Sequence, residues 1–313
     1  MIKIINEKLN IGFLSTAYHS SFILMENKDL DKDLKKHINW ILFGTGPAII
    51  EAFNRNELDI GYIGITPAIV GIDQGVRVKC VAGGHIEGTL MIANEHYKSF
   101  SEEKGSLFNI FNQFTGKKVG VPSIGSIHEV ILNYYLKKFK LNKKIDIKYY
   151  SHAEFIALDL KRGLLDGGVG TPALAAFAST MLNSKIIIPP DKLYENNPSY
   201  GIFCQEKLIE NDPETIFKFL QHHKVATTLI REAPLEAAEK IARVIKIIDF
   251  NYVKSILEIS PKYCIALSDK YITASMNLVK IIHELGYIKT NLEIKDIFNF
   301  EFIKKIHPEK EHY

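Results

Sequence analysis

Leu58-Asp59-Ile60-Gly61-Tyr62-Ile63-Gly64-Ile65-Thr66-Pro67-Ala68 and Leu165-Asp166-Gly167-Gly168-Val169-Gly170-Thr171-Pro172-Ala173 read as two versions of one pattern. Each runs leucine-aspartate, a short strand rich in glycine, then Thr-Pro-Ala, where proline suits the first turn of a helix. The offset falls from 107 at Leu58/Leu165 to 105 at Thr66/Thr171, which one or two deletions explain. An earlier pair has the same relation. Asn10-Ile11-Gly12-Phe13-Leu14-Ser15-Thr16-Ala17 aligns with Lys118-Val119-Gly120-Val121-Pro122-Ser123-Ile124-Gly125, and the offset of 108 at Gly12/Gly120 recurs at Ile23/Ile131. Small residues recur at βα turns, so either match by itself is weak. Two matches in the same order at nearly one offset indicate an internal repeat.

The rhythm around these stretches is that of an α/β protein. Strands are expected at Leu9–Leu14, His37–Phe43, Asp59–Ile63 and Val76–Ala82, and helices at Ser21–Leu30, Pro47–Asn56 and Pro67–Gln74. The alternation returns with strands at Lys117–Pro122, Ile145–Tyr150 and Gly167–Gly170, and helices at Ile127–Phe139, Ala153–Arg162 and Ala173–Met181. Strands separated by helical patterns argue for parallel βαβ units. After Tyr200–Cys204 the pattern is helical over Pro213–Arg231, Pro234–Ile248, Tyr252–Ile259 and Asp269–Leu285.

Composition bounds the function. At 313 residues, two domains are the natural expectation. An apolar share of 46% and a charged share of 24% exclude a disordered, collagenous or disulfide-stapled chain. A formal net charge of +3 is too balanced for a nucleic-acid binder, and no nucleic-acid partner is expected. Cys80, Cys204 and Cys264 lie at no zinc or redox spacing and read as inert thiols, so no metal site is expected. His222-His223 and the charge run Asp29–His37 read as solvated helix surface. No apolar run reaches the length of about 18 residues that a membrane span needs. Met1–Asn10 has neither the apolar core of a signal peptide nor a lipidated cysteine.

Two similar lobes would present their βα turns at the carboxyl ends of the strands, where open α/β sheets bind ligands. Those turns carry Ser15, Thr16, Ser20 and Ser21, then Gly44-Thr45-Gly46-Pro47, and Ser123-Ile124-Gly125-Ser126 in the second copy. Helix N-termini offer N–H groups and partial positive charge to an anion. The same residue types also serve as ordinary helix caps, and Ser126 with Glu129 has the spacing of a capping box.

The stretch from Glu51 to Ala68 resembles the substrate-binding proteins of nitrate, sulfonate and taurine ABC transporters, which carry a helix, an "LD-x-G" strand and a "G-x-T-P" turn there. Tyr200-Gly201-Ile202-Phe203 before a helix at Pro213 is similar to the family's return strand. Glu284-Leu285-Gly286-Tyr287-Ile288 and Asp296-Ile297-Phe298 are similar to its tail. The motifs are weakly specific singly and strong as an ordered set spanning nearly the whole chain. The resemblance implies a two-lobed type II periplasmic-binding-protein fold, each lobe a mixed, mostly parallel sheet flanked by helices. Residues 1–93 and 190–313 would form one lobe and 94–189 the other. It implies capture of a sulfonate, nitrate, bicarbonate or pyrimidine precursor in the interlobe cleft by hinge closure, with delivery to an ABC permease and its ATPase. No cofactor is implied.

By matched position the contacts would be Ser15, Thr16, Tyr18, His19, Gly44, Thr45, Gly46, Gly64, Thr66, Gly84, His85, Ser123, Gly125, Ser126 and Thr171. Tyr18 has two readings, stacking on a flat ligand or packing between lobes. His19 and His85 are each open to a ligand-facing or a structural role. Many family members read tryptophan-aspartate-proline where Thr171-Pro172 stands here, and the one tryptophan, Trp40, lies in a strand. The resemblance implies an extracytoplasmic protein, whereas Met1–Asn10 implies a cytoplasmic one if the chain is the full gene product.

The fold also hosts enzymes. The pyridoxal-phosphate-dependent pyrimidine synthase related to these binding proteins carries a lysine and a histidine about the third strand and a cysteine cluster. Ile60–Ala68 has neither lysine nor histidine, and the chain has no cysteine cluster. Menaquinone-pathway enzymes of the fold have N-terminal motifs unlike Gly12–Ser21. No nucleophile elbow, metalloprotease motif or P-loop occurs. A binding protein is therefore expected, with a cytoplasmic enzyme acting on a small cofactor precursor as the alternative.

Overall fold

The computed structural model describes residues 7–151 and 153–313, so Met1–Asn6 of the leader reading lie outside the described residues. Ten strands occur among them. They are β1 (Lys8–Leu14), β2 (His37–Phe43), β3 (Ile60–Ile63), β4 (Val78–Ile86), β5 (Leu90–Asn94), β6 (Lys118–Pro122), β7 (Asp146–Tyr150), β8 (Gly167–Gly170), β9 (Ser184–Ile188) and β10 (Pro198–Gln205). They form two five-stranded sheets, ordered β2-β1-β3-β10-β4 and β7-β6-β8-β5-β9. The fourth position in each sheet is filled by a strand that arrives from a crossing between the sheets. β10 runs antiparallel to β3 and β4, and β5 runs antiparallel to β8 and β9. The other pairings are parallel. β5, most of which the sequence reading left in the first lobe, pairs within the second sheet.

The sequence repeat is a repeated mechanical interlock. β1 meets β3 through Gly12↔Gly61, and β6 meets β8 through Gly120↔Gly168. A Cβ on Gly12 would lie 2.7 Å from Leu58 Cδ1, and one on Gly120 would lie 2.7 Å from Leu165 Cδ1. Both leucines are buried. The aspartate that follows each leucine ties the start of the neighbouring strand. Asn10 N donates to Asp59 Oδ2 at 2.8 Å, and Lys118 N donates to Asp166 Oδ2 at 3.0 Å. The backbone returns each bond, from Asp59 N to Asn10 O and from Asp166 N to Lys118 O. The "L-D" pair therefore fixes the register of two parallel strands, which hairpin turns cannot do.

Differences from expectation have local causes. The helix expected over Ser21–Leu30 stops at Glu26, and a second short helix covers Leu30–Leu34. Asn27 is extended, and its side chain accepts from Asp29 N at 3.1 Å, a turn that competes with the helix. β4 continues past Ala82 to Ile86 because Gly83 and Gly84 admit close neighbours. A Cβ on Gly83 would lie 2.6 Å from Ala266 O, and one on Gly84 would lie 2.1 Å from the Tyr200 ring. His223, expected on a solvated face, is fully buried in the Pro213–Glu232 helix, whereas His222 is partly exposed beside Asn27 and Asp33. Among the described residues no helix is long and apolar enough to cross a membrane.

The chain crosses between the sheets at 87–89 and again between β9 and β10, and the two crossings are bonded to each other. Glu87 N donates to Asn197 O at 2.7 Å, and Asn196 N donates to Glu87 Oε1 at 3.0 Å. Buried Glu87 is also ion-paired to Lys262 at 2.9 Å.

The interlock sets an expectation for stability. Gly120→Ala should destabilise the chain by about 1–3 kcal/mol through overpacking. Combined with Leu165→Ala, the loss in urea unfolding should be smaller than the sum of the single losses. Strict additivity would show that the two positions are not in contact.

Candidate functional site

Parallel strands end at one edge of each sheet, and most of the expected contact residues lie in the turns there. Ser15 is exposed and Thr16 half-buried after β1. Gly44 is exposed after β2, and Thr45 caps the Gly46–Asn54 helix by accepting from Ala48 N at 3.3 Å. Gly46 packs on Pro67, where a Cβ would come within 2.6 Å of the ring. Gly64 opens the Ile65–Asp73 helix without a side-chain cap. In the second sheet, Ser126 accepts from Glu129 N at 3.2 Å and Thr171 accepts from Leu174 N at 3.3 Å. Ser123 O accepts from Ser126 N at 3.0 Å, closing the turn before the Ile127–Lys138 helix.

The two sets of turns touch. The buried Thr66 hydroxyl donates to Gly125 O at 3.2 Å. Gly125 has φ +79°, a left-handed turn that glycine adopts without strain. Its N–H donates to Glu129 Oε2 at 3.2 Å. The capping box expected from Ser126 and Glu129 is thus half formed. The Glu129 carboxylate serves Gly125 instead, and it also accepts from Asn133 and from the Tyr287 hydroxyl, which follows the Asp269–Glu284 helix. Burial holds the Glu129 carboxyl above its usual range, against the opposing pull of the Tyr287 hydrogen bond.

On the other flank, Tyr252 OH donates to Ala173 O at 3.0 Å. Beside this second contact opens a cavity of about 500 Å³. Ser15 and Ala17 line it from the first turn, Ala173, Phe177 and Thr180 from the Pro172–Met181 helix, and Ile245, Ile247, Ile248, Asp249 and Tyr252 from the opposite helices. No lysine or arginine is among the described residues lining it. Asp249 is engaged as a helix cap, accepting from Tyr252 N at 2.8 Å. Of the expected contacts, Ser15 lies in this cavity. Phe177, Ile248 and Tyr252 were not anticipated. The helix expected over Pro234–Ile248 stops at Ile245, with Lys246 left-handed, and this releases Ile247, 90% exposed, and Ile248 to the cavity wall.

Tyr18, His19, Gly84 and His85 lie behind the turns in a buried ring cluster. Tyr18 OH shares a hydrogen bond with Ser199 Oγ at 3.0 Å, and its carbonyl accepts from Tyr263 OH at 3.0 Å. His19 stands 4.2 Å from the Tyr200 ring, centroid to centroid. His85 Nε2 lies 2.8 Å from Ser260 O, so that nitrogen carries the proton. Nδ1 of His19 and of His85 is buried and finds no partner among the described residues. His223 Nε2 donates to Gly83 O at 2.9 Å, which leaves Nδ1 to accept from Ser20 Oγ at 3.0 Å. Ser20 Oγ in turn accepts from Tyr200 OH at 3.1 Å. Burial drives these imidazoles toward the neutral form. His19 falls to about 3, with nearby His85 as a second cause, and His85 and His223 fall to about 4. His128, against Thr89, also falls to about 4 by burial.

Comparison with known proteins supplies a family and a fold. The model of the NMT1-like family matches residues 4–246. A Bacillus subtilis protein described as binding aliphatic sulfonates is 22% identical over 272 residues, covering 86% of this chain and 78% of that protein. The periplasmic aliphatic sulphonate binding protein SsuA of Escherichia coli superposes with a TM-score of 0.78 at 17% identity, over 94% of this chain and 92% of its own. The periplasmic nitrate-binding protein NrtA of Synechocystis PCC 6803 gives 0.74 at 10% identity, over 96% and 88%. The fold is therefore the expected two-lobed periplasmic-binding-protein architecture, two mixed sheets flanked by helices.

The neutral imidazoles make stability depend on pH. Their native pKa values lie below the unfolded value of about 6.5, so between the two the unfolded chain binds more protons. Stability is full above about pH 6.5 and drops as pH falls toward 4. The melting midpoint should decline steadily from pH 7 to 5, with proton uptake on unfolding. A midpoint flat over that range would mean that these rings reach solvent.

Proposed function

The chain belongs to the NMT1-like family, and from that premise we propose that it is the solute-binding component of an ABC import system. It captures one small solute between its lobes, closes about the paired crossings, and hands the solute unchanged to a permease driven by an ATPase. That role places it outside the cytoplasm. This reading uses the body plan of 1–93 with 190–313 and 94–189, with the first boundary drawn back to the crossing at 87–89 because β5 pairs in the second sheet. The turn residues from Ser15 to Thr171 would surround the solute's polar head. Tyr18, His19, Gly84 and His85 would form the floor beneath it.

One observation carries the choice of solute. The apolar cavity formed by Ala17, Ala173, Phe177, Ile245, Ile247 and Ile248 reaches the N-terminal end of the Pro172–Met181 helix at Ala173 and the turn after β1 at Ser15. Such a site suits a solute with an apolar body and one compact anionic head. Among the classes the sequence suggests, an aliphatic sulfonate fits best, and the names of the Bacillus and Escherichia coli relatives point the same way. Nitrate and bicarbonate have nothing to place in the cavity.

A homologous series of alkanesulfonates tests this. Each methylene buried in the cavity is worth about 0.8 kcal/mol, so calorimetry should show about a fourfold gain in affinity per added carbon until the cavity fills. Phe177→Ala should flatten that gain while leaving methanesulfonate binding unchanged. Tighter binding of nitrate than of any alkanesulfonate would overturn the assignment.

A further inference from the structure

Cys264 lies far in sequence from His307 and His312, yet the three ligand atoms meet in one triangle. Cys264 Sγ lies 3.3 Å from His307 Nε2 and 3.5 Å from His312 Nδ1, and the two ring nitrogens are 3.2 Å apart. Tetrahedral zinc, with bonds of about 2.3 Å to sulfur and about 2.0–2.1 Å to nitrogen, would hold S and N about 3.6 Å apart and two nitrogens about 3.3 Å apart. We propose that Cys264, His307 and His312 bind a zinc-type divalent cation that clasps the 307–313 segment to the loop carrying Cys264.

The surrounding bonds orient these atoms as a ligand set. His307 Nδ1 lies 3.1 Å from Glu309 O, and a carbonyl can only accept. Nδ1 therefore carries the proton of the neutral ring, and the Nε2 lone pair faces the triangle. Ala266 N–H points at Cys264 Sγ from 3.5 Å, a donor that favours thiolate. Three edges of hydrogen-bond length need three protons. His307 Nε2 brings none, so the thiol and His312 can satisfy at most two, and one edge opposes lone pair to lone pair. A cation at the centre removes that repulsion. Sulfur with two imidazoles selects zinc over magnesium or calcium.

Access and anchoring also fit. Cys264 and His307 are buried, and His312 is exposed, giving a way in. Glu309 Oε1 is 3.7 Å from His307 Nε2 but is held by Lys224 at 2.6 Å, which leaves the fourth position to water. Cys264 N donates to Gly84 O at 3.3 Å, and Tyr313 OH donates to Cys264 O at 3.3 Å, so the site backs directly onto β4. The cysteine spacings in the sequence carried no sign of it. The His-x4-His spacing of 307 and 312 did, since zinc-binding histidine pairs have three to five residues between them.

The test uses the full chain after chelator treatment, titrated with Zn²⁺ by calorimetry and with Co²⁺ by absorption. The wild type should bind one equivalent of Zn²⁺ at this site, raise its melting midpoint, and show a thiolate-to-cobalt charge-transfer band with tetrahedral cobalt bands. His312→Ala, at an exposed position that leaves the core intact, should lose more than about tenfold in Zn²⁺ affinity. Cys264→Ser should abolish the charge-transfer band. Alkanesulfonate binding should be the same in His312→Ala as in the wild type, so a wrong solute assignment leaves this result untouched. Wild-type Zn²⁺ affinity no higher than that of His312→Ala, or a charge-transfer band that persists in Cys264→Ser, would refute the site.

Discussion

The absence of a side chain at Gly12 and Gly120 is the constraint from which both lobes are built. In each sheet the leucine preceding the next strand occupies the space a Cβ would take, 2.7 Å from its ideal position. The aspartate after that leucine clamps the first strand's N–H. Parallel strands lack a tight hairpin to set their register, and a slip of one residue would turn every side chain to the other face. With register set by the same lock twice, β1 and β3 end at one edge of the first sheet, and β6 and β8 at one edge of the second. The helix N-termini then line those edges.

Joining the lobes is a separate problem, and different residues solve it. The crossings meet at Glu87, whose backbone N–H donates to Asn197 O and whose carboxylate accepts from Asn196 N. Behind them Tyr18, Tyr200, Tyr263, His19, His85 and His223 fill the end of the first sheet. Each polar atom buried there must find a partner or cost free energy. The Tyr200–Ser20–His223–Gly83 chain meets that demand for four groups in sequence. Such a network fixes one arrangement of rings where an aliphatic core would tolerate several.

The sheets were legible in the sequence because their determinants are local and repeated. Leu58-Asp59 and Leu165-Asp166 announce the lock, and proline or aspartate marks most helix starts. β5 was missed because Leu90–Asn94 is short and lies beside the crossing, with no turn residues of its own pattern. His223 was misplaced because helical periodicity sorts residues by polarity, whereas the Ser20 hydroxyl and Gly83 carbonyl that accept it into the core come from 203 and 140 residues away. The site divided along the same line. Its hydroxyl-bearing turns follow strand ends and can be read in place. The cavity wall at Phe177, Ile248 and Tyr252 depends on helices packing across the cleft, and no local pattern encodes that.

The caps bear on how such a cleft could hold an anion without a lysine or arginine. A serine or threonine that caps a helix uses its oxygen as acceptor and keeps its hydroxyl proton for another partner. Thr45, Ser126 and Thr171 all cap helices in this way, so capping and ligand contact do not compete at these positions. Helix N-termini add partial positive charge that needs no counter-ion and no side-chain ordering. An oxyanion held by neutral donors is also released more readily than one locked to a buried cation, whose desolvation must be reversed. On the proposed reading, selectivity then falls to the apolar wall, where the fit of the solute's body decides which head group arrives with it.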